Sequence, residues 1–173
     1  MKTSFEIIPF QCTDDQLISL HRIFQEINAE GDSFPYPFDT PLDKFKQIWC
    51  QQDSTSYVAV DPITNTIGGA YFFKPQWPGR GSHIATATYM VSKSARGNGL
   101  GRQLGLHSLD SAFKHGYKSM QFNYVVSTNT SAVNLWKSLG FNVIGTLPGV
   151  FNHKMHGPVD AFIMFKQLGP AAL

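Results

Sequence analysis

The chain has 173 residues, of which 42% are hydrophobic and 15% are charged, and its formal net charge is +2. This length suits one domain around a single core, and the apolar share excludes an intrinsically disordered chain. The sequence contains no block of like charges and no apolar run near the roughly 20 residues of a membrane helix. We therefore expect no nucleic-acid partner and no membrane association.

The amino-terminal stretch MKTSFEIIPFQ is too short and interrupted for a secretory signal, which predicts a cytoplasmic protein. Cys12 and Cys50 form no CxxC motif, so we expect reduced, packed thiols rather than a disulfide or a zinc site. His153 and His156 suggest a metal site, but no HExxH motif or carboxylate cluster accompanies them. We expect histidines in loops or at the surface, and no metal.

The first elements are a strand, SFEIIPF, and a helix, TDDQLISLHRIFQEINAEG. Thr13 and Gln16 form a capping box at the start of this helix, and Gly31 ends it. One face of the helix is apolar and predicts burial; it carries Leu17, Leu20, Phe24 and Ile27.

The next segment, DSFPYPFDTP, carries three prolines and three aromatic residues. It predicts a shaped loop before a short helix around residues 41–51. Phe34, Tyr36 and Phe38 could either wall a substrate pocket or fill the edge of the core. The sequence leaves both alternatives open.

A hairpin and a long strand follow. SYVAVDPITNTIGGAYFFKP predicts strand, turn and strand, with Asp61, Pro62 and Asn65 in the turn. HIATATYMVS predicts a fourth strand with two alternating faces. One face carries Ile84, Thr86, Thr88 and Met90, and the other carries Ala85, Ala87, Tyr89 and Val91.

Beyond a glycine-rich loop, the apolar spacing predicts a helix that ends near Gly116, then a strand, KSMQFNYVVS. A second helix ends at Gly140, and FNVIGT and VDAFIMFKQL predict two more strands. The order β-α-α-β-β-β-α-β-α-β-β predicts an α/β sandwich with a mixed sheet. We find no repeat and no domain boundary, so residues 1–173 are expected to form one domain.

The loop SARGNGLGRQLG places Gly97, Gly99 and Gly101 between a strand and a helix. Alternate glycines let backbone N–H groups converge, and the positive end of the helix dipole lies behind them. Arg96 and Arg102 add cationic donors suited to a diphosphate. The alternative is an ordinary glycine-rich turn with solvated arginines.

Two common phosphate-loop motifs do not fit, because GxxxxGK[ST] is absent and position 102 is Arg where GxGxxG needs glycine. The stretch VSKSARGNGLG instead resembles the acyl-CoA diphosphate loop of the GCN5-related N-acetyltransferase (GNAT) superfamily, [RQ]-x-x-G-x-[GA]. Downstream, NTSAVNLWKSLGF is similar to that superfamily's N-x-x-A-x-x-L-[YFW]-x-x-x-G-F element. The matching residues are Arg96, Gly99, Gly101, Asn129, Ala132, Leu135, Gly140 and Phe141.

The resemblance implies an α/β (α+β) GNAT fold with a mixed, mostly antiparallel sheet of about seven strands and about four flanking helices. The fourth and fifth strands would splay apart to receive acetyl-CoA, the implied cofactor. The backbone of the fourth strand would pair with the pantetheine arm, and amides of residues 97–102 would hold the diphosphate. The implied cofactor-binding residues are Met90, Val91, Ser92, Arg96, Gly97, Asn98, Gly99, Leu100, Gly101, Arg102, Asn129, Ser131, Ala132 and Trp136.

The implied reaction is direct attack of an amine on the thioester, with the carbonyl held by a backbone N–H near Val91. Many relatives carry a Tyr proton donor where this chain has Trp136, and the fourth strand carries no carboxylate. Either water relays the protons, or a side chain does so, with His83 and Tyr89 as the nearest catalytic candidates.

A narrower similarity, carried by FFKPQWPGRGSHI and FNYVVSTN, is to fungal N-acetyltransferases that act on proline analogues such as azetidine carboxylate. It implies that Asn123 contacts substrate and serves catalysis and that Asn129 contacts cofactor, while Thr86 replaces a third expected Asn. The alternative for Asn123 is a structural amide bonded to strand backbone. The predicted substrate-binding residues are Thr86, Asn123, Phe34, Tyr36 and Phe38.

We therefore predict an acetyl-CoA-dependent N-acetyltransferase for a small-molecule amine, with amino and imino acids among the candidates. The alternatives are a catalytically silent acyl-CoA sensor, an acetyltransferase for a peptide or protein amine, and a nucleotide-binding module of another fold. The resemblance also implies a homodimer, as in many relatives.

Overall fold

The structure is a computed structural model that describes residues 5–169. The elements follow in the predicted order. They are β1 (Glu6–Pro9), α1 (Asp14–Glu30), α2 (Leu42–Trp49), β2 (Thr55–Val60), β3 (Ile67–Pro75), β4 (Ile84–Val91), α3 (Leu100–Lys114), β5 (Ser119–Val126), α4 (Thr130–Ser138), β6 (Asn142–His153) and β7 (Gly157–Gln167).

All strands belong to one seven-stranded sheet with the order β1-β2-β3-β4-β5-β7-β6. Every neighbouring pair is antiparallel except β4 and β5, which run parallel. The pairing of β4 with β5 covers only Ile84 with Ser119 and Ala85 with Met120. Beyond these pairs the two strands part, which confirms the predicted mixed sheet and its splay.

The helices cover both faces of the sheet. The buried face of α1 and the side chains of Phe45 and Trp49 on α2 form one core cluster, and Met90 of β4 packs into it. The helices α3 and α4 form the second cluster on the opposite face with Tyr71, Phe122 and Trp136. The predicted alternation along β4 is confirmed, since Met90 and the partly buried Tyr89 belong to opposite clusters.

The ends of α1 follow from local chemistry. Thr13 Oγ1 accepts a hydrogen bond from the Gln16 backbone N–H at 3.4 Å, and Gln16 Oε1 accepts from Gln11 N at 3.0 Å. Gly31 ends the helix at φ 69°, in the left-handed region that favours glycine. All four residues of the predicted apolar face are buried.

The expectation of reduced thiols is wrong in this structure, because Cys12 and Cys50 form a disulfide. Cys12 lies just before α1 and Cys50 just after α2, and the packing of these two helices brings the sulfurs together. That proximity comes from tertiary packing, so the spacing of the cysteines in the sequence gave no signal of it.

The carboxyl-terminal hairpin also differs from the prediction. The strand that starts at FNVIGT continues to His153 as the 12-residue β6, with irregularities between Val143 and Gly145 and between Leu147 and Phe151. The Pro and Gly in this segment are tolerated because β6 is an edge strand of the sheet.

The hairpin places the rings of His153 and His156 with centroids 4.5 Å apart. Residues 5–169 contain no group of three or more His, Cys, Asp or Glu side chains arranged to hold a metal ion. Within the same range, none of the helices combines the length and the hydropathy needed to cross a bilayer.

Candidate functional site

A cleft of about 580 Å³ opens where β4 and β5 part. The glycine loop and the start of α4 line one end of it. The end of α1 lies beside the glycine loop through the Glu30–Arg96 pair, the aromatic loop lines a further part of the cleft, and β4 and β5 form its walls. The sequence-predicted residues on the cleft wall are Phe34, Tyr36, Thr86, Tyr89, Val91, Arg96, Gly97, Gly101, Asn123, Asn129, Ser131, Ala132 and Trp136.

The glycine loop contains two residues in the left-handed region of backbone conformation. Gly97 and Gly99 have φ values of 77° and 82°, and a Cβ built at either position would meet no atom within 4 Å. Their conformation therefore requires glycine, and their outer face is open. Gly99 immediately precedes α3 without a side-chain cap, so the amides of the first turn of this 15-residue helix remain available.

Arg96 is held at three points, and its side chain is still 42% exposed. Its Nε donates to the carbonyl oxygen of Val91 at 3.3 Å, and Nη1 and Nη2 contact the two carboxylate oxygens of Glu30 at 3.0 and 2.8 Å. Two of the five guanidinium donors suffice for this bidentate pair. Arg96 thus ties the glycine loop to the end of α1 and retains further N–H groups.

Arg102 takes a different position. Its Nη1 donates to Ser138 Oγ at 3.0 Å, which joins α3 to the end of α4, and it does not line the cleft. Asn98, Gly99 and Leu100 also lie off the cleft wall, and the Leu100 side chain is buried in the core. Any contact from these residues to a ligand would come from their backbone amides.

Two predicted strand residues do not reach the cleft. The Met90 side chain is buried against α1, and the Ser92 backbone N–H donates to Gly68 O at 2.8 Å. That amide is therefore already used on the β3 side, which corrects the expectation that Ser92 pairs with the pantetheine arm. Val91 is the last strand residue on the cleft wall.

The start of α4 presents its own polar groups. Asn129 Oδ1 accepts hydrogen bonds from the Ala132 backbone N–H at 3.1 Å and from Ser131 Oγ at 2.9 Å, so Asn129 is the N-cap of the helix. Trp136 is 7% exposed, and its ring lies 4.6 Å from that of Tyr89 and 4.8 Å from that of Phe122, between centroids. Trp136 forms an apolar floor for the cleft.

The geometry does not support the two predicted proton carriers. The ring of Tyr89 lines the cleft, but its hydroxyl contacts Ser108 Oγ at 2.6 Å and donates to Met120 Sδ at 3.6 Å, and burial raises its pKa. His83 precedes β4 at the end where β4 still pairs with β5; it is exposed, and its Nδ1 lies 3.1 Å from Arg80 O. His83 is not on the cleft wall.

At the other end of the cleft, Thr86 and Asn123 lie on β4 and β5. The Asn123 Oδ1 accepts a hydrogen bond from Gln121 Nε2 at 2.7 Å. Phe34 and Tyr36 line the cleft and also pack on Phe24, at 5.9 and 5.3 Å between ring centroids. Phe34 therefore belongs both to the cleft wall and to the edge of the core, whereas Tyr36 lines the cleft and is 39% exposed.

Phe38 fits neither alternative, because it is 64% exposed and lies off the cleft wall. Burial raises the pKa of Tyr36, which keeps its phenol neutral.

Sequence analysis missed the acidic part of the wall. Glu30 and Asp32 flank the glycine that ends α1, and both line the cleft. Thr88 and Tyr124 also line it, and the Tyr124 hydroxyl donates to Val150 O at 2.6 Å. The alternation along β4 could have indicated Thr88 from Thr86, but no local signal connects Glu30 with Arg96.

Comparisons with known proteins agree with this geometry. The model described as Acetyltransferase (GNAT) family matches residues 19–141. The N-acetyltransferase aca1 of Schizosaccharomyces pombe is 42% identical, over 94% of this chain and 94% of that protein. A GCN5-related N-acetyltransferase from Kribbella flavida superposes with a TM-score of 0.88 at 36% identity, over 95% of this chain and 98% of that one.

A phosphinothricin acetyltransferase from Sinorhizobium meliloti, solved in complex with acetyl-CoA, has a TM-score of 0.82. It is 19% identical, and the superposition covers 98% of this chain and 90% of that one. At this identity the likeness concerns the fold alone.

Proposed function

The chain belongs to the GNAT acetyltransferase family, an acyltransferase family that uses acetyl-CoA, and from this premise we propose that it acetylates the amine of a small molecule. The observation that carries the proposal is the cleft at the splay of β4 and β5. Both the glycine loop and an aromatic wall formed by Phe34 and Tyr36 line it.

The residues present fit acetyl-CoA. Gly97 and Gly99 leave an open face that a Cβ would begin to fill, the first-turn amides of α3 face the same loop, and Arg96 supplies a fixed cation. These groups would hold the diphosphate. The unpaired edge of β4 up to Val91 and the N-cap residue Asn129 would hold the pantetheine arm.

Acetyl-CoA supplies the acetyl group as an activated thioester when bound. The chain's own contribution is to orient the thioester and the acceptor amine and to exclude water from them. The backbone of β4 near Val91 offers N–H donors for a carbonyl oxygen, Trp136 keeps the floor apolar, and Asn123 offers its amide to the acceptor. No cysteine lines the cleft in the described chain, which favours direct transfer without a covalent enzyme intermediate.

We infer that ordered water moves the protons. The Tyr89 hydroxyl is committed to Ser108, His83 lies off the cleft, and Glu30 is paired with Arg96. The acceptor amine must therefore bind in its neutral form, or it must lose a proton to water before it attacks. This assigns His83 and Tyr89 no proton-transfer role.

The acceptor end favours a small substrate, because Phe34 and Tyr36 close the cleft against α1. Amino and imino acids are the acceptors that the narrower similarity indicates. The test is release of CoA thiol by purified protein with acetyl-CoA and a panel of small amines and short peptides. Saturable release with a small amine supports the proposal, and release with peptides alone contradicts the small-molecule part of it.

A second candidate function is an acyl-CoA sensor without turnover. It is favoured by the Tyr89 hydroxyl, which is bonded to Ser108, and by Trp136, which is no titrating acid. Calorimetric binding of acetyl-CoA together with the absence of thiol release for every amine would support the sensor. We further propose that the chain acts as one catalytic domain and forms a homodimer. The Cys12–Cys50 disulfide argues against the predicted cytoplasmic location, because cytosolic thiols are normally reduced. Thiol titration of the protein isolated from cells tests the location, since a reduced pair supports the cytoplasm and a bridged pair contradicts it.

A further inference from the structure

Glu30, the last residue of α1, stands where an acidic side chain is unfavourable. The carbonyl end of a helix carries a partial negative charge, and the last turn of α1 contains no basic residue. Arg96 of the glycine loop supplies the cation instead, with nitrogen-to-oxygen distances of 3.0 and 2.8 Å. The charge of Glu30 is therefore balanced by a residue of the proposed cofactor site.

Arg96 in turn has Glu30 as its anionic partner. Among residues 5–169 it takes part in no other ion pair, and its remaining hydrogen bond is from Nε to the neutral carbonyl oxygen of Val91 at 3.3 Å. Both Glu30 and Arg96 line the cleft. A diphosphate held by the glycine loop would meet a cation whose charge the protein already neutralises.

Two helix ends of opposite polarity meet at the glycine loop. α3 begins after Gly99 without a side-chain cap, so its positive end faces the loop. α1 ends at Glu30, which contacts the same loop through Arg96. An anion at the loop is therefore attracted by the first turn of α3 and repelled by the Glu30 carboxylate and the negative end of α1.

Two further charges lie near the end of α1. Asp32 lines the cleft two residues beyond Glu30, and the Lys154 ammonium donates to Ala29 O at 3.0 Å without lining the cleft. Neither takes part in an ion pair among residues 5–169. Because they have opposite signs, we expect them to offset each other, and Glu30 acts on Arg96 by direct contact.

We propose that Glu30 is an internal counter-ion of Arg96 that weakens the binding of the CoA diphosphate, so that CoA leaves readily after acetyl transfer. The inference rests on the proposed acetyltransferase function, because it concerns the diphosphate end of the same cleft. Glu30 holds the guanidinium in place and cancels its charge, which leaves the amides of residues 97–102 as the main attraction for the diphosphate. A transferase must release CoA in every cycle, and release of product limits many enzymes.

The test compares CoA with pantetheine, which has the same thiol arm but no phosphate. Calorimetry at low ionic strength gives their dissociation constants for the full chain, and stopped-flow displacement gives the dissociation rate of CoA. Glu30→Gln keeps the length of the side chain and one acceptor oxygen, so it removes mainly the charge. We expect it to tighten CoA binding by about tenfold, to slow CoA dissociation and to leave pantetheine binding unchanged.

The gain in CoA affinity should shrink in roughly 1 M salt, because salt screens exposed charges. Arg96→Gln should act in the opposite direction and weaken CoA binding by about 100-fold, since it leaves Glu30 charged and unpaired beside the diphosphate. The double variant Glu30→Gln/Arg96→Gln should recover about tenfold of this loss, because the repulsion is then removed.

Asp110→Asn is the matched control. It also removes one negative charge from the chain and breaks the exposed pair of Lys114 with Asp110, at 2.7 Å, on α3 and off the cleft wall. It should change neither CoA nor pantetheine binding. The control separates the position of the Glu30 charge from the net charge of the protein.

CoA affinity that is unchanged or lower in Glu30→Gln, or that rises equally in Asp110→Asn, overturns the inference, while thiol release by the wild type would leave the proposed function standing. A gain shared by pantetheine also overturns it, because the effect would then come from the shape of the cleft. Absence of CoA binding by the wild type overturns both. Tighter CoA binding in Glu30→Gln without thiol release upholds the role of Glu30 and contradicts the enzymatic proposal instead.

Discussion

The two ends of the cleft are built from different kinds of chain segment. The end that we propose for the cofactor is formed mainly by one continuous stretch, from Val91 through the glycine loop into α3, to which the start of α4 adds Asn129. The part that we propose for the acceptor combines the aromatic loop, β4 and β5, which only the tertiary fold brings together. A continuous segment leaves a recognisable motif, whereas a composite surface does not.

The sequence could therefore predict the fold and the position of the glycine loop at the splay of the sheet. Local rules predict the capping of α1 by Thr13 and the alternation along β4, and both are confirmed. The mixed sheet and its splay follow from the family motifs.

The sequence could not predict contacts that depend on how elements pack. The Glu30–Arg96 pair joins residues 66 positions apart, and the Cys12–Cys50 disulfide depends on how α1 and α2 lie together. The direction of the Tyr89 hydroxyl depends on Ser108 of α3. No period or motif in the chain encodes these three contacts.

The largest expected effect concerns the acceptor end. Cys12→Ser opens a disulfide that encloses α1, the aromatic loop and α2, with a sequence separation of 38. By loop-closure entropy, the free energy of unfolding should fall by about 4 kcal/mol. Denaturant unfolding without reductant measures this, and reductant should bring the wild type to the stability of the variant. A wild type insensitive to reductant contradicts the bridge.

The next effect concerns the cofactor end. Gly99→Val forces a β-branched residue into the left-handed region and covers the open face of the loop, so CoA affinity should fall by about 100-fold or more. Gly116→Val is the matched control, because Gly116 has a similar φ of 89° and likewise no atom within 4 Å of a built Cβ, but lies off the cleft wall.

Both variants should lose a similar stability of about 1–2 kcal/mol, while only Gly99→Val should lose CoA binding in calorimetry. Equal CoA affinities in the two variants would show that the loop serves packing alone.

A smaller effect should distinguish the role of the acceptor end of the cleft from that of the cofactor end. Asn123→Ala should lower kcat/KM for the acceptor by about tenfold and leave CoA affinity unchanged, because Asn123 lies on the β5 wall away from the glycine loop. Gln121→Ala removes the side chain that donates to Asn123 and serves as the control. If the two variants lose activity equally, Asn123 has only the structural role of a hydrogen-bonded strand residue.

The smallest effect concerns Tyr89. Tyr89→Phe removes the hydrogen bond to Ser108 and should cost about 1 kcal/mol of stability, without changing the pH dependence of the rate. Burial raises the Tyr89 pKa, so its contribution to stability is complete below the ordinary tyrosine pKa and is lost as the pH rises above it.

At alkaline pH, the free energy of unfolding of Tyr89→Phe should accordingly fall less steeply with pH than that of the wild type. Ser108→Ala removes the same hydrogen bond from the other side and should lower the free energy of unfolding by a similar amount. A pH–rate profile that loses its alkaline limb in Tyr89→Phe alone would restore Tyr89 as a proton carrier.

The most direct measurement is a crystal structure of the chain with CoA. The account predicts that the CoA diphosphate contacts the amides of residues 97–102 and that the pantetheine arm lies between β4 and β5 beyond Ala85. A structure in which CoA binds elsewhere, with the glycine loop free of contacts to it, would contradict the account.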